Sequence, residues 1–302
     1  MLAVSRKLTA GSRCGGLDAT VLLAPVSDPC DGFFRMAQVI GHDAPSEIVI
    51  DRVPAPSEAE FERQYLHASQ PAIFIDVVPR WKAWERWSRD YFRQVWGKHR
   101  AQVMLTSGRN VQYDPNRSYA FREMPMDEAL DRLERGSEGG AYLMVPLERY
   151  LPGLLDDVEV PSYCDARPGF RTRLWINAAD IGTPLHRDFS ENLIAQVRGT
   201  KRLILYPPEA AHSLYAFQRR SLVPGFSPVN AEVPDPVRFP RSVDARRVVV
   251  TLHAGEMLFL PSRWWHQVRS IEPSLNINFW WAAGVYEKII RVAERLGLKA
   301  SV

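Results

Sequence analysis

The 302-residue sequence has little cysteine, no long apolar run and no large excess of charge of one sign. Its three cysteines, Cys14, Cys30 and Cys164, are an odd number without CxxC spacing, which argues against a disulfide framework and a cysteine-based zinc site. No apolar run approaches the roughly 20 residues that a membrane helix needs. Residues 1–16 have no continuous apolar core, so no secretory signal is visible. We therefore expect a reduced, cytoplasmic protein that does not contact a membrane.

The composition is that of a globular protein, with 46% hydrophobic and 24% charged residues. The formal net charge is +3, from 38 basic and 35 acidic residues. Six of the basic residues are lysine and 32 are arginine, but they are spread along the chain. Charge by itself therefore does not argue for a nucleic-acid surface.

Three regions are expected along the chain. Residues 1–45 carry glycine and proline but no sustained period, which predicts a poorly ordered extension. Residues 46–283 form the expected main domain, with its core at 140–283. Residues 284–302 are expected to close the chain with an amphipathic helix, because Val285, Ile289, Val292, Ala293 and Leu296 form one stripe.

The start of the domain reads as short helices. Ser57 and Glu60 have the spacing of a capping box, and Ser88 precedes a second helical pattern that ends at Gly97. The tryptophans at positions 81, 84 and 87 could form a stacking platform, but their helical spacing favours a role in the core.

From about residue 101 the pattern changes to short strands with few helices between them, which is typical of a sandwich or barrel. The predicted strands are 101–106, 141–146, 171–178, 184–188, 192–198, 201–206, 248–252, 256–260, 266–271 and 275–281. Residues 221–247 contain five prolines and little periodicity, so we expect a structureless insert that is either a functional loop or disordered.

Two histidines and one acid carry the strongest chemical signal. His186 and Asp188 are two residues apart in a predicted strand, so both side chains point to the same side of a sheet. His266 follows a glycine turn, an apolar strand and two tryptophans at the start of another strand. Two histidines and one carboxylate on one face leave open positions on an octahedral iron(II), as in non-haem oxygenases.

Five segments with this order and spacing resemble the JmjC or cupin-like family of iron(II)- and 2-oxoglutarate-dependent hydroxylases. They are TPLHRD (183–188), ENLIAQVRGTKRLILYPP (191–208), HAGEMLFLP (253–261), WWHQV (264–268) and NINFWW (276–281). The chain is particularly similar to the family's asparaginyl and tRNA wybutosine hydroxylases. The resemblance implies a mainly β fold, a double-stranded β-helix of the jelly-roll type, flanked by N-terminal and C-terminal helices.

The same resemblance implies the site residues. His186, Asp188 and His266 would hold iron(II), while His253 would be structural or exposed. The cosubstrate 2-oxoglutarate would be bound by Lys201, Thr183, Tyr142, Asn192 and Asn278. Lys201 shares an inward, apolar strand phase with Leu203 and Leu205, where a cation must find an anion or bear a large desolvation cost, unless it leaves the turn toward solvent. Trp280 and Arg187 are expected near the substrate.

The implied reaction uses O₂ and 2-oxoglutarate to hydroxylate a C–H bond, with release of succinate and CO₂. The substrate stays open between a protein or peptide, a tRNA base and a small molecule. Alternatives are N-methyl-lysine demethylation, a metal-binding cupin protein that does not use 2-oxoglutarate, and a non-catalytic module. The resemblance also suggests a homodimer through the closing helix, although a helix packed on its own barrel would have the same apolar stripe.

Overall fold

The computed structural model describes residues 48, 50–105, 121–136, 141–164, 167–217 and 225–284. These residues all belong to one compact unit, residues 45–302. The extension expected at residues 1–45 and almost all of the closing helix lie outside the described residues, so both remain predictions, as does the homodimer. Within the described ranges no helix is long and apolar enough to cross a membrane.

The described residues form thirteen strands in two sheets. In chain order the strands are β1 (Asp51–Val53), β2 (Ala72–Phe74), β3 (Arg100–Leu105), β4 (Phe121–Pro125), β5 (Ala141–Pro146), β6 (Arg171–Asn177), β7 (His186–Arg187), β8 (Ser190–Arg198), β9 (Lys201–Tyr206), β10 (Val248–Leu252), β11 (Met257–Leu260), β12 (Trp265–Ser270) and β13 (Ser274–Ala282). The larger sheet has the order β1-β2-β11-β8-β13-β6-β5-β3-β4, and the smaller sheet has the order β10-β9-β12-β7. Only β1 and β2 pair in parallel among these strands.

The helices are short and lie mostly before the central strands. They are α1 (Glu58–Phe61), α2 (Lys82–Arg86), α3 (Arg89–Trp96), α4 (Met126–Glu134), α5 (Leu147–Tyr150) and α6 (Pro240–Val243). A π turn, Glu62–Leu66, continues α1, and 3₁₀ turns occupy Val78–Arg80, Pro152–Asp157 and Pro208–His212.

The predicted helix starts are confirmed by side-chain caps. The amide of Glu60 donates to the Ser57 hydroxyl, and the Ser57 amide donates to the Glu60 carboxylate over 3.0 Å, which is the reciprocal capping box. The Ser88 hydroxyl accepts from the Tyr91 amide at the start of α3. Each cap satisfies an amide that the first helical turn leaves without a backbone partner.

Strand alternation divides the apolar core into layers. Leu193, Ala195 and Val197 of β8 point away from the smaller sheet and pack in a large cluster with the N-terminal helices. Their neighbour Ile194 points the other way and packs against Leu203 of β9. Because β8 belongs to the larger sheet and β9 to the smaller, the two sheets face each other. The jelly-roll fold expected from the sequence is confirmed.

The tryptophans near the N-terminal helices belong to the large cluster. Trp81 and Trp87 are buried, and Trp84 packs against the cluster while partly exposed. The Trp81 ring contacts the edge of Phe279 on β13, at 5.9 Å between centroids. The core role predicted for these residues is therefore confirmed, and they join the short helices to the outer face of the larger sheet.

Strand β4 and helices α4, α5 and α6 were not expected from the sequence. β4 lies at the edge of the larger sheet, where Arg122 and Glu123 are exposed, so it has no continuous apolar phase. Helix α4 buries Met126, Ala129, Leu130 and Leu133, which have the spacing of one helical face. That signal was present in the sequence.

The insert expected at 221–247 is, in its described part, residues 225–247, an ordered loop whose one helix is the short α6. Disorder is therefore wrong for this part, whereas a functional loop stays a prediction. Phe226 forms an antiparallel bridge with His186, and Val229 and Ala231 are buried against the outer face of the smaller sheet. Glu232 forms an ion pair with Arg269 of β12. These contacts order a proline-rich segment because its apolar side chains have a sheet face to cover.

The turn between β8 and β9 requires glycine at position 199. Gly199 has φ +70°, and a Cβ atom there would lie 2.3 Å from the carbonyl oxygen of Pro273. Gly136 also has positive φ, at +59°, but a Cβ atom there would meet nothing within 4 Å. Alanine at either position has the left-handed backbone strain, and only Gly199→Ala adds a backbone clash.

We expect Gly199→Ala to lower the free energy of unfolding by about 2 kcal/mol more than Gly136→Ala does. Chemical denaturation followed by circular dichroism measures both variants against the unsubstituted protein. Equal losses for the two variants would contradict the close approach of Pro273.

Candidate active site

His186, Asp188 and His266 converge on one point. His186 on β7 and His266 on β12 are directly paired across the smaller sheet, and their ring centroids are 4.1 Å apart. Asp188 follows β7 directly, and its Oδ2 lies 4.0 Å from His266 Nε2. One ligand atom from each residue can be chosen so that all lie within 4.8 Å of one another. The sequence expectation that these residues come together is met by the geometry.

Both imidazoles are oriented by backbone carbonyl groups. His186 Nδ1 lies 2.8 Å from the Pro184 oxygen, and His266 Nδ1 lies 3.1 Å from the Trp264 oxygen. A carbonyl oxygen only accepts hydrogen bonds, so in the neutral form of each ring Nδ1 carries the proton and Nε2 has the free lone pair. This is the tautomer in which a histidine binds a metal through Nε2.

The protonation state of the group also fits a metal. His266 is buried, and its pKa is lowered by burial first and by the neighbouring His186 second. Asp188 opposes part of this shift. Burial therefore keeps His266 neutral at ordinary pH, and a neutral imidazole is the form that binds metal ions. Two such imidazoles and a carboxylate are a donor set suited to iron(II).

Trp280 orients the acidic member of the group. Its indole Nε1 donates a hydrogen bond to Asp188 Oδ2 over 3.3 Å. The Asp188 backbone oxygen accepts a hydrogen bond from the Arg263 amide over 2.7 Å. The strand end and the indole thus hold the carboxylate toward the imidazoles from two sides.

Lys201 is buried beneath the same cavity. Its side chain is only 4% exposed and donates a hydrogen bond to Asn276 Oδ1 on the facing sheet. In the described part of the chain no acidic side chain forms an ion pair with it. Burial lowers the pKa of Lys201 to about 7. A buried ammonium with only a neutral amide partner is poorly compensated and would bind an anion favourably.

A chain of amides continues from Lys201 across the larger sheet. Asn276 Nδ2 donates to Asn278 Oδ1 over 2.6 Å, and Asn278 Nδ2 donates to Asn192 Oδ1 over 3.1 Å. All three amides are buried and line the cavity. The sequence analysis placed Asn192 and Asn278 here, but it did not identify Asn276 as the partner of Lys201.

The remaining expected site residues also line the cavity. Thr183 exchanges hydrogen bonds with Val268 of β12, donating its amide over 2.8 Å and accepting at its hydroxyl over 3.2 Å. Tyr142 is buried with its ring edge against Trp175, and burial raises its pKa. Arg187 borders the cavity, but its guanidinium carbon lies 4.7 Å from the centre of the Trp265 ring. His253 is exposed and stands outside the His186, Asp188 and His266 group.

These residues surround a cavity of about 360 Å³ between the two sheets. Its smaller-sheet wall carries His186, Asp188, His266 and Lys201, and its larger-sheet wall carries the amide chain. A cavity of this kind inside a barrel is a common place for a binding site.

A family model described as a cupin-like domain matches residues 58–285 of the sequence. The chain belongs to this family. The match covers every described strand except β1 and every residue of the site described above, from Tyr142 to Trp280.

Among curated proteins, this cupin-like chain is similar to lysine-specific demethylase 8 of Danio rerio, with 32% identity over 80% of this chain and 62% of that protein. It is similar to lysine-specific demethylase 8 of Xenopus tropicalis, with 30% identity over 78% of this chain and 54% of that protein. It is also similar to the bifunctional peptidase and (3S)-lysyl hydroxylase JMJD7 of Homo sapiens, with 28% identity over 77% of this chain and 83% of that protein. The chain therefore spans little more than half the length of the first two relatives.

The cupin-like cavity also contains residues that the sequence analysis did not select. Arg171, Arg173 and Trp175 of β6 line it from the larger sheet, and Phe226 stacks on the His186 ring at 5.2 Å. The segment RTRLWIN alternates, so its first, third and fifth residues share one face. The alternation could be seen in the sequence, but the sequence did not show which face of the strand would line the cavity.

Burial of the Lys201 amine predicts how the free energy of unfolding depends on pH. Its folded pKa of about 7 lies below the ordinary value of 10.5, so folding disfavours the protonated form. The cost is full below pH 7 and is relieved as pH rises toward 10.5, because the unfolded chain then binds more protons than the folded one. We expect Lys201→Met to be more stable than the unsubstituted protein at pH 7, by an amount that shrinks toward pH 10.

Urea unfolding at several pH values measures this difference. Arg122→Met, at an exposed position on β4, is the control that removes a cation without relieving burial. If the free energies of unfolding of Lys201→Met and the unsubstituted protein differ by the same amount across this pH range, the lowered pKa of Lys201 is contradicted.

Proposed function

We propose that the protein is an iron(II)- and 2-oxoglutarate-dependent oxygenase that hydroxylates a C–H bond of its substrate. The observation that carries this proposal is the convergence of His186, Asp188 and His266 at one end of a cavity whose other end buries the uncompensated cation Lys201. The first group suits a divalent metal and the second suits a carboxylate. The cosubstrate of this family carries both a metal-binding keto acid and a distal carboxylate.

In this proposal the metal is held by the Nε2 atoms of the two histidines and by the Asp188 carboxylate. The carbonyl groups of Pro184 and Trp264 hold the imidazoles in the tautomer that exposes Nε2. The Trp280 indole orients the carboxylate. When bound, iron(II) supplies the oxidative chemistry that couples O₂ and 2-oxoglutarate to C–H hydroxylation, with release of succinate and CO₂.

Lys201 and Thr183 hold the distal carboxylate of 2-oxoglutarate. Asn276 orients the ammonium group, and the Thr183 hydroxyl retains its proton for donation because it uses a lone pair to accept from Val268. Leu203, Leu252, Val268 and Ile194 add apolar walls that exclude water. Excluding water strengthens the charge pairing at Lys201. Tyr142, Asn192 and Asn278 complete the polar lining.

The names of the relatives support an oxygenase that acts on a side chain or a base. They include a (3S)-lysyl hydroxylase, lysine-specific demethylases and, at 24% identity over 79% of this chain and 79% of that protein, tRNA wybutosine-synthesizing protein 5 of Homo sapiens. Demethylation is the second candidate, because hydroxylation of an N-methyl carbon gives a product that releases the methyl group. A peptide, a tRNA base and a small molecule all remain within the proposal.

The metal group can be tested without a substrate. Anaerobic titration with iron(II) and 2-oxoglutarate should produce a weak visible charge-transfer band in the unsubstituted protein. We expect His186→Ala, Asp188→Ala and His266→Ala each to abolish the band, and His253→Ala to retain it because His253 stands outside the group. A folded unsubstituted protein without the band, or loss of the band in His253→Ala, would contradict the assignment.

Lys201→Ala separates a 2-oxoglutarate enzyme from a metal-binding cupin protein that does not use it. We expect this variant to bind metal with unchanged stoichiometry and to lose 2-oxoglutarate affinity by about tenfold or more, since an ion pair to a buried cation is removed. Calorimetric titration of zinc(II) and then of 2-oxoglutarate measures the two steps separately. Unchanged 2-oxoglutarate affinity would favour the alternative.

The affinity for 2-oxoglutarate should also depend on pH. The free Lys201 amine loses its proton above about pH 7, whereas the bound carboxylate requires the ammonium form. Affinity is therefore expected to fall by up to about tenfold per pH unit between roughly pH 7.5 and 9.5, with uptake of one proton on binding. Calorimetry in buffers of different ionisation enthalpy measures that proton, and its absence at pH 8.5 would contradict the role of Lys201.

A further inference from the structure

Two arginines enter the cavity from the sheet that faces the metal group. Arg171 and Arg173 are alternate residues of β6, so both point into the cavity, and Trp175 follows on the same face. Both are partly buried. The Arg171 guanidinium carbon lies 5.6 Å from the centre of the Trp280 ring. Burial lowers the pKa of each arginine, and Arg173 lowers that of Arg171 further, which reflects like charges held close together.

Among the described residues, Arg171 forms no ion pair, and Arg173 forms one long ion pair, with Glu148. Arg171 donates to the Gly169 carbonyl and to the Ser190 hydroxyl, each over 3.2 Å, and both acceptors are neutral. Arg173 donates to the Thr172 carbonyl over 2.8 Å. Its nearest acid is Glu148, whose Oε2 is 3.9 Å away and whose Oε1 accepts from the Thr172 amide and hydroxyl.

The position of these arginines separates them from the cosubstrate cation. β13 pairs with β6 so that Asn276 faces Trp175, Asn278 faces Arg173 and Trp280 faces Arg171. Asn276 holds Lys201, and Trp280 holds Asp188. Four strand residues span about 13 Å. Arg171 therefore lies at the Asp188 end of the cavity, away from Lys201.

The charges of the cavity do not balance without a further anion. A divalent metal and Lys201 together carry three positive charges, which Asp188 and a doubly charged 2-oxoglutarate offset. Asp188 is the only acidic residue among the described residues that line the cavity. Arg171, Arg173 and Arg187 also line the cavity, and Glu148 at 3.9 Å from Arg173 offsets one of these three charges. Positive charge therefore remains in excess in a half-buried site, where uncompensated charge is costly.

We propose that Arg171 and Arg173 bind an oxyanion of the substrate, a carboxylate or a phosphate, and so direct a carbon beside that group to the metal. This proposal rests on the oxygenase function proposed above. Guanidinium groups match carboxylates and phosphates through paired N–H donors. Trp175, Trp280 and Tyr142 form aromatic walls next to the arginines, with ring centroids 5.2–6.1 Å apart. They favour a flat or apolar group attached to the anion.

The proposal disfavours a cationic substrate. An unmodified lysine, a methylated lysine or an arginine side chain would place a positive charge beside two guanidinium groups, with no free acid among the described lining residues to receive it. This cavity therefore differs from what the names of the lysine-directed relatives would suggest.

The test compares four aromatic probes that differ in charge: benzoate, phenyl phosphate, neutral benzamide and cationic benzamidine. The protein is first saturated with zinc(II) and 2-oxoglutarate without oxygen, and that titration is recorded on its own. Dissociation constants for the probes are then measured by ligand-observed NMR. We expect benzoate or phenyl phosphate to bind at least tenfold more tightly than benzamide, with benzamidine weakest. The stronger of the two anions distinguishes a carboxylate from a phosphate substrate.

Arg173→Gln and Arg171→Lys are the variants, with Arg122→Gln as the matched control on exposed β4. We expect Arg173→Gln to weaken binding of the preferred anion by about tenfold. The dissociation constant of benzamide should stay within twofold, and the affinity for 2-oxoglutarate should not change. Arg171→Lys keeps the charge and should have a smaller effect, which guards against loss of folding at Arg171.

The proposal would be overturned if benzamidine bound more tightly than benzoate and phenyl phosphate, or if probe binding did not depend on charge. It would also be overturned if Arg173→Gln lowered the affinity for 2-oxoglutarate instead of the affinity for the anionic probe. Failure of the first titration, with zinc(II) and 2-oxoglutarate, counts against the oxygenase function itself. The probe series can still be measured in that case, and its dependence on Arg173 then decides whether the arginines bind an anion.

Discussion

The pairing of β7 with β12 is the constraint on which the site depends. It places His186 opposite His266 in the smaller sheet, so that two imidazoles stand side by side although they are 80 residues apart in sequence. A shift of this register by one residue would turn one ring to the other face of the sheet. The backbone carbonyls of Pro184 and Trp264 then select the ring tautomer, and Asp188 enters because it lies two residues beyond His186. The strand pairing that builds the smaller sheet therefore also sets the positions of the three candidate metal ligands.

Burial of Lys201 ties the two sheets to the same function. An amine in this position opposes folding unless it is deprotonated or meets an anion, and its partner Asn276 is neutral. The amide chain through Asn278 and Asn192 supplies polar groups without supplying a charge. The protonated Lys201 therefore has no counter-charge at the base of the cavity, and a dicarboxylate cosubstrate would supply one on binding.

The proposed oxygenase function gives a role to His186, Asp188, His266 and Lys201, but it leaves the charge of the opposite wall unexplained. Arg171 and Arg173 sit where the substrate would meet the metal. Arg171 forms no ion pair among the described residues, and the ion pair of Arg173 with Glu148 is long, at 3.9 Å. The names of the relatives suggest lysine-directed chemistry, whereas this wall favours an anion. Reaction type and substrate choice are therefore carried by different sheets: the smaller sheet holds the proposed iron ligands, and β6 of the larger sheet sets the charge that the substrate must match.

Most of the fold was predictable from local pattern. The predicted strands from 141 to 281 correspond to observed strands, since buried apolar runs bounded by glycine and proline are local signals. The exceptions are instructive. β4 is an exposed edge strand without an apolar phase, and the proline-rich residues 225–247 are ordered by a sheet face that a local pattern does not reveal.

Sequence alone determined that His186 and Asp188 share a face and that Lys201 occupies an inward phase, because strand alternation has a period of two residues. The segment before His266 offered the third candidate ligand, and the resemblance to a family then assigned all three residues to iron(II). Tertiary structure decided which groups meet: Asn276 with Lys201 and Trp280 with Asp188 across the cavity, and Arg173 with Glu148 over 3.9 Å. The reason is physical. Alternation fixes which side of its own sheet a residue occupies, whereas contact between residues far apart in the chain depends on how two sheets pack together.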